Sequence, residues 1–197
     1  MGAGGLKGRV RKLLAPVAAL AARSGISPDA ITVAGLLLSG LAGWAFWAGW
    51  FRAAGALLLA AGVCDMVDGA TARAGGRATA SGAFLDSTLD RYSEIAALVG
   101  AFFYYVLRAG STDAPTAAAL FLALSGSLMV SYVKARAEAV GTTCDVGIAE
   151  RPERMVILIV GAFLGPGLFR WAAWVLAVLS HVTAAQRVRH VLPKLRA

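Results

Sequence analysis

Apolar stretches close to the ~20 residues that a helix needs to cross a ~30 Å hydrocarbon core recur along the whole chain. Short Gly, Pro or charged connections separate them, which leaves little sequence for anything other than membrane-spanning helices. With 58% of its 197 residues apolar and 15% charged, the chain does not read as a water-soluble enzyme. The expected fold class is all-α and integral to the membrane, with six transmembrane helices at about 31–50, 53–73, 82–107, 115–138, 154–169 and 171–190. Ahead of them, Lys7 to Arg23 sets Val10, Leu13, Leu14, Val17, Leu20 and Ala21 at three- and four-residue steps behind Lys7, Arg9, Arg11 and Lys12. That pattern predicts an amphipathic helix lying in the interface, and Pro16 and Arg23 argue against a cleaved signal peptide. The organisation is therefore an N-terminal amphipathic segment over 1–25 and one six-helix domain over 26–197.

The net charge of +8 would suggest nucleic acid in a soluble protein. Here the basic residues gather at the ends of apolar runs, and no aromatic-plus-basic module accompanies them, so nucleic acid is excluded as a partner. Six spans with both ends on one side put Lys7 to Arg23, Arg73, Arg77, Arg91, Lys134, Arg136, Arg151, Arg154 and the tail from Arg187 to Arg196 together, leaving Arg52, Arg108 and Arg170 opposite. The positive-inside rule then predicts a multi-pass protein of the plasma membrane with both termini cytoplasmic. Anionic lipid headgroups are the partners that such a surface attracts. Cys64 and Cys144 lack a CxxC partner and read as free thiols. Most of the Trp and Tyr residues, among them Trp44, Trp47, Trp50, Tyr104, Tyr105, Trp171 and Trp174, mark the outer interface.

Four carboxylates break the apolar pattern. Asp65 and Asp68 follow the run Ala53 to Val63, and Asp86 and Asp90 open the third span. One Asp at the centre of a span costs roughly 2.5–3.5 kcal/mol, so four in one half of a small bundle need a compensating interaction. At 3.6 residues per turn Asp65 and Asp68 are about 60° apart and Asp86 and Asp90 about 40° apart, which puts each pair on one helix face. The short link Ala74 to Ser81 predicts that the second and third spans are antiparallel neighbours, with both pairs at the cytoplasmic end. Oxygen ligands without clustered His or Cys suit Mg²⁺ or Mn²⁺ and do not suit zinc. Two such ions are the expected cofactors, and a diphosphate the expected ligand. A cation-coupled transporter is the alternative from another class, though it would carry its acids nearer the midplane and often in repeated halves. Neutralisation of the acids by Arg73, Arg77 and Arg91 alone leaves some of the needed faces unserved.

Together these residues read Asp65-x-x-Asp68-Gly69-x-x-Ala72-Arg73, eight residues, then Gly82-x-x-x-Asp86-x-x-x-Asp90. The pattern resembles the signature of the CDP-alcohol phosphotransferase family, with every defining position present. The resemblance implies a six-span homodimer that moves a substituted phosphate from a CDP-linked lipid donor to an alcohol and releases CMP. It further implies that Asp65, Asp68 and Asp86 hold metal, and that Asp90 completes the metal site and serves as catalytic base. Gly69, Ala72, Arg73 and Gly82 would shape the nucleotide site alongside Asp65 and Asp68. In similar proteins the cap before the first span and the linker after the Arg also touch the donor, which points to Pro28, Asp29, Ala30, Ile31 and Thr79.

The acceptor is read from the inner loop. Ser131 to Glu138 carries Lys134 and Arg136, and Val146 to Arg154 carries Glu150-Arg151-Pro152-Glu153-Arg154. Four basic residues facing the acid pocket suit an anionic acceptor such as a phosphorylated polyol. Positive-inside charge explains basic character in general, yet does not require Glu-Arg-x-Glu-Arg. The run Gly-Ile-Ala-Glu-Arg-x-Glu-Arg resembles the phosphatidylinositol-phosphate synthase branch of the family, archaeal ether-lipid counterparts included. That branch implies that Lys134, Arg136, Arg151 and Arg154, with Arg187 of the last span, bind inositol 1-phosphate, the donor being CDP-diacylglycerol or its ether analogue. Glycerol 3-phosphate is the alternative acceptor. His181 and His190 read as edge contacts, and Gly161-x-x-x-Gly165 as local packing or a dimer face.

Overall fold

A computed structural model describes residues 27–74, 79–109 and 112–196, with the side chains of 72–74 outside the description. The predicted interfacial helix over Lys7 to Arg23, Arg77, and the side chains of Ala72 and Arg73 lie outside the described residues. Six α-helices follow one another: α1 Pro28–Trp47, α2 Phe51–Ala74, α3 Ala80–Leu107, α4 Ala114–Ala139, α5 Arg151–Leu164 and α6 Pro166–Lys194.

Local chemistry sets the helix starts. Ser27 caps α1 by accepting the Ala30 N–H at 3.2 Å, with Pro28 in the first turn, where its missing N–H costs nothing. Thr79 caps α3 through the Gly82 N–H at 3.1 Å, and Asp113 caps α4 by accepting both the N–H and the hydroxyl of Thr116. The last apolar stretch divides at Gly165, whose φ of +84° suits glycine, and Pro166 opens α6 at once. The expected break between 169 and 171 is therefore corrected to 165. Arg170 is exposed within α6, where helix propagation tolerates it.

The helices close into a ring in which α1 lies against α2 and α3, α4 against α3 and α6, and α5 against α2 and α6. Among the described residues α1 packs closely against both α2 and α3, so it, more than a direct α2–α3 contact, joins the two helices that carry the acids. The reason is the small residues: a Cβ on Gly43 would strike the Ala96 carbonyl of α3, and one on Gly100 would strike the Gly43 backbone. Helix α1 thus sits almost backbone to backbone on α3. The core holds Phe46, Phe51, Phe169 and Tyr105 in edge and stacked ring contacts, with Leu58, Leu98, Leu120, Leu158 and Leu176 fully buried. The Tyr105 hydroxyl donates to the Pro166 carbonyl and ties α3 to the start of α6.

Large apolar side chains such as Leu37, Phe121, Val156 and Val178 point outward, as the surface of an integral membrane protein requires. Among the described residues, Pro28–Trp47, Phe51–Thr71, Ala114–Ala139 and Pro166–Lys194 are long and apolar enough to cross a bilayer. In α3 the acids and Arg91 of its first half dilute an otherwise apolar helix. The 14 residues of α5 rise only about 21 Å at 1.5 Å each, short of the ~30 Å core.

Candidate active site

The four carboxylates converge at the end of the bundle where α1 and α3 begin. Asp65 and Asp68 lie in the closing turns of α2, and Asp86 and Asp90 in the opening turns of α3. They act on one another electrostatically: Asp68 feels Asp86 and Asp65, Asp86 feels Asp65, and Asp90 feels both Asp86 and Asp65. Helix α1 forms one wall, of which the sequence pointed to the first turn but not to Thr32 or Gly35. The buried Thr32 hydroxyl donates to Asp68 Oδ2 at 2.7 Å, fixing a carboxylate that is only 4% exposed. Gly35 faces Asp65, whose Oδ1 would stand 3.2 Å from an added Cβ. Their sequence signal was weak, since a Thr and a Gly one turn apart in an apolar helix carry no motif.

The donor residues expected from the sequence gather around that wall. Pro28, Asp29, Ala30 and Ile31 form the first turn of α1, and Thr79 and Gly82 the cap of α3. A Cβ on Gly82 would meet Thr79 Oγ1 at 3.2 Å and Asp29 Oδ1 at 3.6 Å, so the two helix starts touch there. Gly69 is half-buried on α2.

The basic residues take unequal places. Arg151, at the start of α5, reaches into the carboxylates, with Nη1 2.7 Å from Asp65 Oδ2 and Nη2 2.7 Å from Asp90 Oδ1. Arg91 Nη1 stands 3.5 Å from the other Asp90 oxygen. Arg154 is a different case: its Nε and Nη2 grip Glu94 at 2.7 and 2.8 Å, and its Nη1 donates to the Ala149 carbonyl. At 1% exposure its guanidinium is closed off by that pair. Glu94 escaped notice in the sequence because a lone Glu in the third span has no visible partner until the helices pack. Arg187, likewise buried, donates to the carbonyls of Val146 and Val130 and to Glu150, bracing the loop against α4 and α6. Lys134 pairs with Asp145 at 2.6 Å, a bond that holds the Asp145 carboxyl below its usual range, and Arg136 is exposed in the last turn of α4.

Backbone bonds sew the loop before α5 in place. Ala149 N–H donates to Thr183 Oγ1 and Ile148 N–H to Gln186 Oε1, and Gly147, at φ +135°, lets the chain pass against Thr183. His181 Nε2 sits 3.2 Å from the Leu122 carbonyl, between α4 and α6 and outside this site.

The donor set fits hard divalent cations. Four carboxylates face two guanidiniums among the described residues, an excess of formal negative charge that oxygen-preferring ions offset. The arrangement itself, with the Arg151 guanidinium between Asp65 and Asp90, contains no group of three or more potential ligands already gathered around one point among the described residues. A cation already stands between two of the expected ligands, and its Nε is buried without a partner.

Comparison with known proteins identifies the family. The family model for CDP-alcohol phosphatidyltransferases matches residues 25–184. An archaetidylinositol phosphate synthase of Methanothermobacter thermautotrophicus is 40% identical over 191 residues, covering 95% of this chain and 92% of its own. A phosphatidylinositol phosphate synthase of Mycobacteroides abscessus is 40% identical over 195 residues, covering 91% and 84%. The crystal structure of the Mycobacterium tuberculosis phosphatidylinositol phosphate synthase with CDP-DAG bound superposes with a TM-score of 0.84 at 34% identity, over 91% of this chain and 94% of that one. The same enzyme in complex with manganese and citrate gives a TM-score of 0.83 at 35% identity, over 90% and 88%.

Proposed function

Because the chain belongs to the CDP-alcohol phosphatidyltransferase family, we propose that it transfers the lipid phosphate of CDP-diacylglycerol, or of an ether-lipid analogue, to inositol 1-phosphate and releases CMP. The observation that carries this reading is the junction of the four-carboxylate pocket with Arg151 from the basic loop, which puts donor and acceptor chemistry at one place. The likeness to inositol-phosphate synthases over nearly the whole chain supports the acceptor. Family membership sets the transporter aside.

Asp65, Asp68, Asp86 and Asp90 would hold two Mg²⁺ or Mn²⁺, which when bound neutralise the diphosphate and polarise the phosphorus under attack. The likeness to a structure holding manganese supports that assignment. Asp90 takes the proton of the attacking inositol hydroxyl, as a carboxylate at the junction of the two substrates is placed to do. The starts of α1 and α3, with Asp29, Thr79 and Gly82 close together, would line the nucleotide side, and Gly69, Ala72 and Arg73 are assigned to it on the family signature. Lys134, Arg136 and Arg151 supply charge to the acceptor phosphate, Arg187 braces the loop that carries it, and Arg154 anchors α5. The donor's chains stay in the bilayer while its diphosphate meets the pocket at the cytoplasmic face. We further propose six spans, α3 and α5 included, a single domain over 26–197, an interfacial helix over 1–25, cytoplasmic termini in the plasma membrane, and a homodimer.

The test is CMP release by purified protein in detergent with CDP-diacylglycerol and Mg²⁺ or Mn²⁺, offering inositol 1-phosphate, inositol, glycerol 3-phosphate and serine. Release is expected with inositol 1-phosphate alone, with none in EDTA or in Asp90→Asn. Equal release with glycerol 3-phosphate would overturn the acceptor, and turnover in Asp90→Asn the assigned base.

A further inference from the structure

Helix α3 presents Asp90 and Glu94, one turn apart, to α5, and α5 answers with Arg151 and Arg154, three residues apart. The two rungs of this ladder differ in kind. Arg154 and Glu94 form a closed fork, 1% and 4% exposed, with two parallel bonds into one carboxylate. Arg151 splits its two Nη groups between carboxylates on different helices, Asp65 of α2 and Asp90 of α3. Its Nε is buried with no acceptor, although its side chain keeps 21% of its surface. The split grip and orphaned Nε mark a cation drawn in by the net charge of the pocket, where acids exceed bases among the described residues.

We propose that Arg151 is the internal counter-cation of the carboxylate pocket, displaced from Asp65 and Asp90 when divalent metal enters, so that its released guanidinium then becomes available to the phosphate of the acceptor. The inference rests on the metal-dependent reading above and adds an order to it, metal before acceptor. Divalent metal held by Asp65 and Asp90 would compete with the guanidinium for those two carboxylates, so occupancy by one would oppose the other. The buried Arg154–Glu94 rung holds the start of α5 throughout, which confines the exchange to the Arg151 side chain. Coupling is reciprocal, so phosphate bound by the freed arginine also tightens the metal.

The experiment measures Mn²⁺ binding by paramagnetic resonance of the free ion, using detergent-solubilised full-length protein, its Arg151→Gln variant and Asp68→Asn. Removing the competitor is expected to tighten Mn²⁺ in Arg151→Gln by about tenfold, because the binding-competent pocket is no longer partly occupied. The metal-free variant is expected to melt lower than the parent and to gain more on adding Mn²⁺. Inorganic phosphate is expected to tighten Mn²⁺ more in the parent than in Arg151→Gln. Unchanged or weaker Mn²⁺ affinity in Arg151→Gln overturns the counter-cation role. If Asp68→Asn loses Mn²⁺ while Arg151→Gln equals the parent, the metal site stands and this inference alone falls. No Mn²⁺ binding by the parent removes both. Should Arg151→Gln fail to fold, Arg151→Lys, which keeps the charge but meets one carboxylate at a time, is expected to gain about threefold, and no gain overturns the proposal.

Discussion

Replacing Glu94 by Gln perturbs the anchor of α5 with little change in volume. The parent carboxylate accepts two charge-assisted bonds from Arg154, at 2.7 and 2.8 Å, in a site where the side chains are 1% and 4% exposed. The amide keeps one acceptor for Arg154 and turns an N–H₂ toward the guanidinium in place of the other, while the Ala149 carbonyl still accepts from Nη1. Breaking a buried pair from one side strands a charge and costs about 3–5 kcal/mol. For a chain of this size that corresponds to a fall in Tm on the order of 10 °C. The assay is thermal unfolding in detergent, followed by tryptophan fluorescence. Glu94→Leu combined with Arg154→Met removes both charges and is expected to recover most of the loss, because an apolar pair of similar volume avoids the desolvation that the ion pair must offset. A single-variant loss below about 1 kcal/mol, or a double variant no more stable than the single, would refute the reasoning, since either means that the guanidinium finds water or another partner.

Three further outcomes follow from the same geometry. Gly100→Ala puts a methyl into the backbone of Gly43 and is expected to cost roughly 1–3 kcal/mol, seen as a lowered midpoint in the same unfolding assay, whereas Gly40→Ala, with open space around it, should be neutral. Thr32→Val removes the buried donor to Asp68 Oδ2, and the expected result is weaker Mn²⁺ binding in titration, equivalent to about 1–3 kcal/mol, with the fold retained. Asp113→Ala removes the cap of α4 at a cost of about 1 kcal/mol. The Thr116 hydroxyl and N–H hold the Asp113 carboxyl below its usual range, so that share of stability is fully present above the usual carboxylate pKa and is lost as pH falls through the lower folded value. The stability gap between parent and Asp113→Ala should accordingly shrink in acid, and a gap that widened would contradict the sign.

Much of the site was legible because its parts lie close in sequence. Asp65 and Asp68, or Asp86 and Asp90, are brought to one face by helix geometry alone, and acids in an apolar run announce a ligand by their cost. Thr79 and Gly82 were reached only through the family resemblance, and the structure shows them as a cap and its partner. Illegible were the contacts between helices. Thr32 and Gly35 serve the acids from α1, which the sequence alone did not put between α2 and α3. Arg151 and Arg154 look alike in Glu-Arg-x-Glu-Arg, yet one enters the carboxylate pocket and the other is buried against Glu94.

What the sequence determined by itself is whatever rests on local periodicity and on the cost of charge in hydrocarbon: an apolar helical bundle, its caps, and an acid cluster at one end. Tertiary structure alone decided which helices touch, where the last stretch breaks, and which arginine enters the carboxylate pocket. Those outcomes depend on how closely backbones such as those at Gly43 and Gly100 approach. A distance between helices is set by side chains from both sides at once, and no single stretch of sequence carries it.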